Sequence, residues 1–254
     1  MAVASDAIHL LIDYQGPSYA HLYVDRLRRF IGKQGVDEAM LTDIARLMAV
    51  RMSYEDPIRI AQLKLFELDG LPGASAGSVD VKKFRIEELI GALPAVVAEY
   101  LLDALDWAGW LNKRVSIRFS TASRLGIRRL KIEAGLRRWR LLSVRYAKER
   151  VWVERWLHMI DRSLTKQPQA APAIVQTATM IEGYGDVYRQ GLADWNAIID
   201  GLVKPTFDGV LALPDLGSAV TEARAVAMPD PRQTALKRKI AEIRARATVG
   251  SNAA

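Results

Sequence analysis

The sequence contains no cysteine. That excludes a disulfide framework, a thiolate zinc site, a cysteine nucleophile and any iron–sulfur cluster held by this chain's own thiolates. Histidine is nearly as scarce: His9, His21 and His158 are the only three. They are not spaced as a ligand pair on one helix, so no metal site is expected. No stretch approaches the roughly 20 apolar residues of a membrane span. The opening MAVASDAIHLLIDYQ has no basic leading segment and only a short apolar run, unlike a signal peptide, and a cytoplasmic protein away from membranes is expected. The familiar catalytic signatures are missing too: no dinucleotide fingerprint, no P-loop, no nucleophile elbow and no zincin histidine pair.

What is present is a chain of 254 residues, 50% of them hydrophobic, enough to bury a core as one large domain or two small ones. The formal net charge of +7 is unevenly spread. Between Lys113 and Arg150 thirteen Lys/Arg face only Glu133 and Glu149, a net of +11, which leaves −4 for the rest. Clustered arginines with interleaved Trp139 and Tyr146 suit a nucleic-acid backbone, an acidic partner or simply a solvated face. Without a recognisable nucleic-acid-binding fold pattern, nucleic acid is the secondary reading: a stand-alone basic helical module.

Helical periodicity dominates. SYAHLYVDRLRRFIG places Tyr19, Leu22, Tyr23 and Phe30 on one face and leaves Asp25, Arg26, Arg28 and Arg29 for solvent. VDEAMLTDIARLMAVRM carries Met40, Leu41, Ile44, Leu47 and Met48 at helical spacing, with Asp37 as N-cap. Pro57 suits the first turn of a further helix and Asp56 its cap. The glycine-rich LDGLPGASAGS over Leu68–Ser78 reads as a loop. PAVVAEYLLDALDWAGWL is strongly apolar and expected to be central. Val79–Arg85 and the alternating RVSIRF read as strands of a two-stranded ribbon. Basic helices follow from Thr121 to about Lys166, anchored by Trp139, Trp152 and Trp156. TKQPQAAP reads as a loop, and helices over Pro172–Ile181 and Asp186–Leu202 flank IEGYGDVYRQG. Pro205, Pro214, Pro229 and Pro231 punctuate the end before a basic helix near TALKRKIAEIRARA. The expected fold is mainly α, a multi-helix domain with a small two-stranded β-ribbon. A helical domain over 1–228, with a sub-boundary near 68–80, would precede a basic C-terminal helix and frayed tail over 229–254.

Two stretches hold most of the chemistry. In SYEDPIR, Glu55 and Asp56 beside Tyr54 and Arg59 read as an acid/base pair or as a helix start, with negative charge near the positive end of the dipole. In GYGDVYRQG, Gly183 or Gly185 is expected to take a positive φ and end one helix. Asp186 would cap the next, with Tyr184 and Tyr188 covering the turn.

Together these stretches carry a resemblance. ARLMAVRMSYEDPIRIAQLK, residues 45–64, resembles the RMSYEDVIRVAQLK type of segment in the C-terminal helical region of the indolepyruvate ferredoxin oxidoreductase beta subunit. Ile181–Gly191 resembles that region's IKGYGDTHRRG type of segment. The order also agrees, with a DYQ…YA…Y…R opening over Asp13–Arg26 and an Arg/Trp-rich stretch over Leu136–Arg140. The resemblance implies a parent thiamine-diphosphate enzyme that oxidatively decarboxylates arylpyruvates to aryl-acetyl-CoA and reduces ferredoxin. Thiamine diphosphate, magnesium and iron–sulfur clusters would reside in its alpha-type subunit, and a gamma-type domain would precede the helical region. This chain would then bind no cofactor, be inactive alone, and partner the alpha-type subunit and gamma-type domain. No catalytic residue carries over. Tyr54, Glu55, Asp56, Tyr184, Asp186 and Arg189 are the candidates for an interface or pocket. Arg137, Arg138 and Arg140 are candidates for an anion-binding edge that receives a carboxylate or a CoA phosphate. Pro57 stands where the pattern has an aliphatic residue. Val187–Tyr188 replace its Thr–His, and a tyrosine there does not titrate near pH 7.

Overall fold

Side-chain caps start the helices where the sequence offers an acceptor. Asp37 accepts the Met40 amide at 2.7 Å, Asp56 that of Arg59 at 2.6 Å, and Asp215 that of Ser218 at 2.9 Å; each satisfies an amide that the first turn leaves orphaned. The computed structural model describes residues 2–70, 79–110, 113–183, 185–227, 230 and 232–251. Its helices in chain order are α1 (Ala2–Tyr14), α2 (Pro17–Arg28), α3 (Glu38–Met52), α4 (Pro57–Gly70), α5 (Ile86–Gly91), α6 (Ala95–Trp107), α7 (Arg124–Gly135), α8 (Val144–Lys166), α9 (Ala171–Gln176), α10 (Gly185–Ile198), α11 (Lys204–Phe207), α12 (Leu216–Ala225) and α13 (Thr234–Ser251). Strands β1 (Val79–Arg85) and β2 (Arg114–Ser120) pair antiparallel, from Val79 opposite Ser120 to Arg85 opposite Arg114. The fold is thus mainly α with a small two-stranded antiparallel sheet. Most of Leu68–Ser78 lies outside the described residues, but its first three residues complete α4. TKQPQAAP is not a loop: a 3₁₀ turn over Pro168–Ala170 runs directly into α9. Helix α12, unread in the sequence, lies between two of the prolines that punctuate the end.

The chain falls into two compact units. The described residues of Met1–Leu10, Ser18–Met52 and Trp152–Ala254 make the first, and Leu11–Pro17 with Ser53–Val151 the second. The first unit is built on aromatic side chains that share buried helix faces. Trp152 and Trp156, one turn apart on α8, stack with centroids 6.0 Å apart, and Trp195 of α10 meets Trp152 edge-on at 5.2 Å. Two of the three polar ends are matched: the Trp195 indole donates to Thr177 Oγ1 at 3.0 Å and the Trp156 indole to the Ile174 carbonyl at 3.3 Å. The Trp152 indole N–H is buried without a hydrogen-bond partner among the described residues. Tyr19, Tyr23 and Phe30 are buried as their spacing implies. Arg26 is not left to solvent; it is buried and donates to Glu154 at 2.8 Å, with Arg29 on the other oxygen at 3.1 Å. Burial opposes the charge on Glu154, yet its hydrogen bonds to Arg26 and Arg29 and their charge together hold it below the usual carboxylate range. Between α10 and α11 the helix widens into a π-turn, Ile199–Val203. Its Gly201 carbonyl accepts from Arg244 of α13 at 2.8 Å.

In the second unit the ribbon's alternation puts Phe84, Val115, Ile117 and Phe119 on one face. Phe84 and Phe119 are buried and meet edge-on, centroids 6.5 Å apart. Helix α7 packs on α4 and buries Leu130. Helix α6, whose apolar sequence predicts a central place, is instead a surface helix: Ala98 is its one buried residue among those described, while Tyr100 is 77% and Trp107 91% exposed. Trp139 is no anchor either, being more than half exposed.

Candidate functional site

In the second unit the structure joins three of the sequence stretches singled out above. Helix α1 ends at Tyr14, so its last carbonyls lack helical partners. Arg140 lies on a 3₁₀ turn over Leu136–Leu142 and is only 1% exposed. Its Nη1 donates to the Tyr14 carbonyl at 2.8 Å and to Gln15 Oε1 at 3.1 Å. Nε and Nη2 grip both oxygens of Asp56, at 2.7 and 3.0 Å, while Asp56 also caps α4. The guanidinium lies over the Tyr14 ring at 3.9 Å. Burial alone pulls the Arg140 guanidinium down, but Tyr14, Asp56 and the hydrogen bond to Asp56 together hold it above its ordinary value. One cation thus ties a helix C-terminus to a helix N-cap, a placement the macrodipole favours at the first end. Arg59 adds a second tie, donating to Asp13 at 2.8 Å with its charge over the Tyr14 ring at 5.6 Å. The Tyr14 hydroxyl donates to the Tyr54 carbonyl at 3.1 Å, and Arg145 lies over the Tyr54 ring at 5.3 Å.

Tyr54, Asp56 and Arg140 therefore converge, but as a closed knot and not as an open pocket. Asp56 is no half of an acid/base pair with Glu55, which is exposed and has Lys82 Nζ at 4.0 Å. The three arginines do not form one anion-binding edge. Arg140 is spent on protein acceptors, whereas Arg137 and Arg138 are exposed. The 3₁₀ turn separates Arg138 from Arg140, because residues three apart eclipse there and residues two apart do not. Arg137 stands over Arg140 and reaches the Asp13 carbonyl at 3.5 Å, while Gln15 donates to the Arg137 carbonyl at 2.8 Å. Asp13–Gln15 and Arg59, which belong to the DYQ opening and the SYEDPIR stretch, join the knot without being among the site candidates. The DYQ triplet carried the signal for the first group, since a carboxylate, an aromatic face and an amide are what a buried guanidinium requires.

In the first unit, the GYGD stretch is a turn of a different kind from the one expected. The preceding helical segment ends in a 3₁₀ turn at Met180, before the first glycine. Gly183 and Gly185 both take positive φ, 65° and 70°, where an L side chain would cost about 1–2 kcal/mol. Helix α10 starts at Gly185, so Asp186 sits inside its first turn and accepts from Arg189 at 2.8 Å. Tyr184 lies outside the described residues. Gly191 is fixed by close approach: a Cβ there would stand 2.1 Å from the Met180 carbonyl oxygen. Arg51 of α3 secures the turn by donating to the Ile181 carbonyl at 2.8 Å, with Trp152 at 5.2 Å and Tyr188 at 5.8 Å beneath its charge. Tyr188 thus serves as a buried aromatic face. Beside this turn, a cleft of about 480 Å³ opens along α10 and α12, lined in part by Val187, Gln190, Gly191 and Asp194 on one side and by Thr221 and Arg224 on the other. Among the described residues no group of three or more His, Cys, Asp or Glu is placed to hold a metal ion.

A family model matches residues 1–201, most of the chain. The chain belongs to DUF6537, a family of unknown function. No curated protein and no solved structure matches it. The DUF6537 span contains both the Arg140 knot and the turn over Ile181–Gly191, and it ends within the π-turn. One wall of the cleft therefore comes from the DUF6537 region and the other, on α12, from the residues that follow it.

Proposed function

We propose that this chain is the helical accessory domain of an indolepyruvate-type (arylpyruvate) ferredoxin oxidoreductase complex, holding no cofactor and acting by docking on the alpha-type catalytic subunit and gamma-type domain. The cytoplasm is its expected compartment; among the described residues no helix is long and apolar enough to cross a membrane. The observation that carries the reading is the surface of the second unit. Tyr100, Trp107 and Trp110 stand exposed on and after α6, and Leu125, Ile132 and Trp139 on and after α7. A monomer seldom leaves that much aromatic and aliphatic surface in water, whereas interface cores are rich in it. The exposed arginines interleaved with it, Arg128, Arg137 and Arg138 among them, suit a partner face of acidic and apolar character. Pure phosphate recognition would have no use for the aliphatic part, which favours protein over nucleic acid.

The test is co-expression with the alpha-type subunit and the gamma-type domain. The chain is expected to co-elute with them and to raise arylpyruvate-dependent dye reduction in the presence of CoA and thiamine diphosphate. A Tyr100→Ser/Trp107→Ser variant should lose co-elution while melting at the wild-type temperature. Failure of the wild-type chain to co-elute with either partner overturns the reading. A steep loss of DNA or RNA binding with added salt would favour the basic module instead.

A further inference from the structure

The cleft in the first unit has chemistry that the docking role does not use. Arg224 enters it from α12 half-buried, and its surroundings leave it under-coordinated. Nη2 donates to Thr179 Oγ1 at 2.9 Å, a neutral acceptor. Nε is buried with no hydrogen-bond partner, and no carboxylate lies within ion-pair reach among the described residues. Burial draws this guanidinium below its ordinary value. An unmatched guanidinium is costly, and because Nε is closed to solvent an anionic group entering the cleft would meet the terminal nitrogens. Thr179 is held for its part, since its hydroxyl donates to the Gln176 carbonyl at 2.8 Å.

The opposite wall carries the complementary charge. Asp194 of α10 is 5% exposed and receives the side-chain amides of Gln190 at 2.8 Å and Gln233 at 2.7 Å, both on Oδ1. Its Oδ2 has no hydrogen-bond partner among the described residues. Gln233 makes its bond from a left-handed backbone, φ 54°, the one such non-glycine residue among those described; strain of this kind persists where surrounding structure holds it. The rest of the lining includes the apolar side chains of Met180, Val187, Ala225 and Ala227. A volume of about 480 Å³ lies within the range of small-molecule sites.

We propose that this cleft binds an α-amino acid with an apolar side chain, its carboxylate on Arg224 and its ammonium on Asp194. Neither charge alone selects the ligand; the pair calls for a zwitterion, and the apolar part of the lining takes the side chain. The inference is independent of the docking reading and concerns a different unit of the fold.

Titration calorimetry on the full chain tests it, using the apolar L-amino acids from alanine to phenylalanine singly. At least one is expected to bind in the millimolar range or tighter and to raise the melting temperature with concentration. For leucine, or whichever side chain binds best, the analogue without the amine (4-methylpentanoate) and the one without the carboxylate (3-methylbutylamine) should each bind at least about tenfold more weakly. Arg224→Met and Asp194→Asn should each cost at least about tenfold. Val187→Trp at the exposed rim should block binding without lowering the melting temperature, which separates occupancy from folding. No binding by any apolar amino acid overturns the proposal. So does equal binding of the deaminated acid, which would mark a plain anion site.

Discussion

The six tryptophans divide evenly between the two units and meet opposite fates. Trp152, Trp156 and Trp195 are buried together in the first, with two of the indole N–H groups matched to oxygen acceptors. Trp107, Trp110 and Trp139 of the second stand in water. The first unit holds most of the buried apolar residues. The second buries a smaller apolar set, and a charged knot at Arg140 joins its helix ends while its largest side chains face outward. Such a body is organised by polar geometry and, on the proposed docking role, would be completed by a partner. That contrast separates the residues that keep the chain folded from those that give it a use.

The largest effect should come from the knot. Arg140→Met leaves Asp56 buried without its cation and is expected to cost about 3–5 kcal/mol; a double variant with Asp56→Leu should recover most of it, as urea denaturation followed by circular dichroism would tell. Trp156→Ala should cost a similar amount, about 3–5 kcal/mol, through the cavity it opens in the first unit. If one of these two lowers both units' denaturation together and the other does not, the units are unequal in their coupling. Gly191→Ala forces a methyl against the Met180 carbonyl and should destabilise by about 1–3 kcal/mol, seen as a lower melting temperature.

A smaller effect is set by pH. Burial pushes the Tyr23 hydroxyl from 10.0 up to about 12, and in its neutral form it donates to the Ala45 carbonyl at 3.2 Å. A raised folded value means that this contribution is whole below pH 10 and drains away as pH climbs towards about 12. Alkaline denaturation should therefore steepen across that window, and Tyr23→Phe should flatten it. Trp107→Ser should change stability least, within about 0.5 kcal/mol. A drop of several kcal/mol on thermal melting would mean that α6 is part of a core after all, and the contrast between the units would fail.

Much of the local architecture was legible in the sequence. The caps at Asp37 and Asp56 follow from an acceptor placed before an apolar period, and the ribbon from alternation at Val115, Ile117 and Phe119. Legibility ended where a property depends on more than the local pattern. The run AVVAEYLLDALDW states that α6 has apolar surface to cover, not whether this chain covers it. RRWR offers three arginines of equal chemistry, and only the phase of a 3₁₀ turn decides that Arg140 goes in and Arg138 stays out. The cleft was illegible for a simpler reason: Asp194 and Arg224 are thirty residues apart, and the pairing of α10 with α12 has no local signature.

The π-turn over Ile199–Val203 has a consequence for how this family can change length. A π-turn takes in one residue more than the hydrogen-bonded helix around it would hold, so it behaves as a single-codon allowance written into a continuous rod. Removing Gly201 would rewind the turn to ordinary pitch and leave the later side chains of α11 close to their present phase. Arg244 would lose the Gly201 carbonyl that it now caps, and the glycine that leaves room for Ile240, whose Cγ2 a Cβ at 201 would meet at 3.0 Å, would go with it. The helix tolerates its extra residue because α13 closes over it, so the two are expected to be kept or lost together when related chains are aligned.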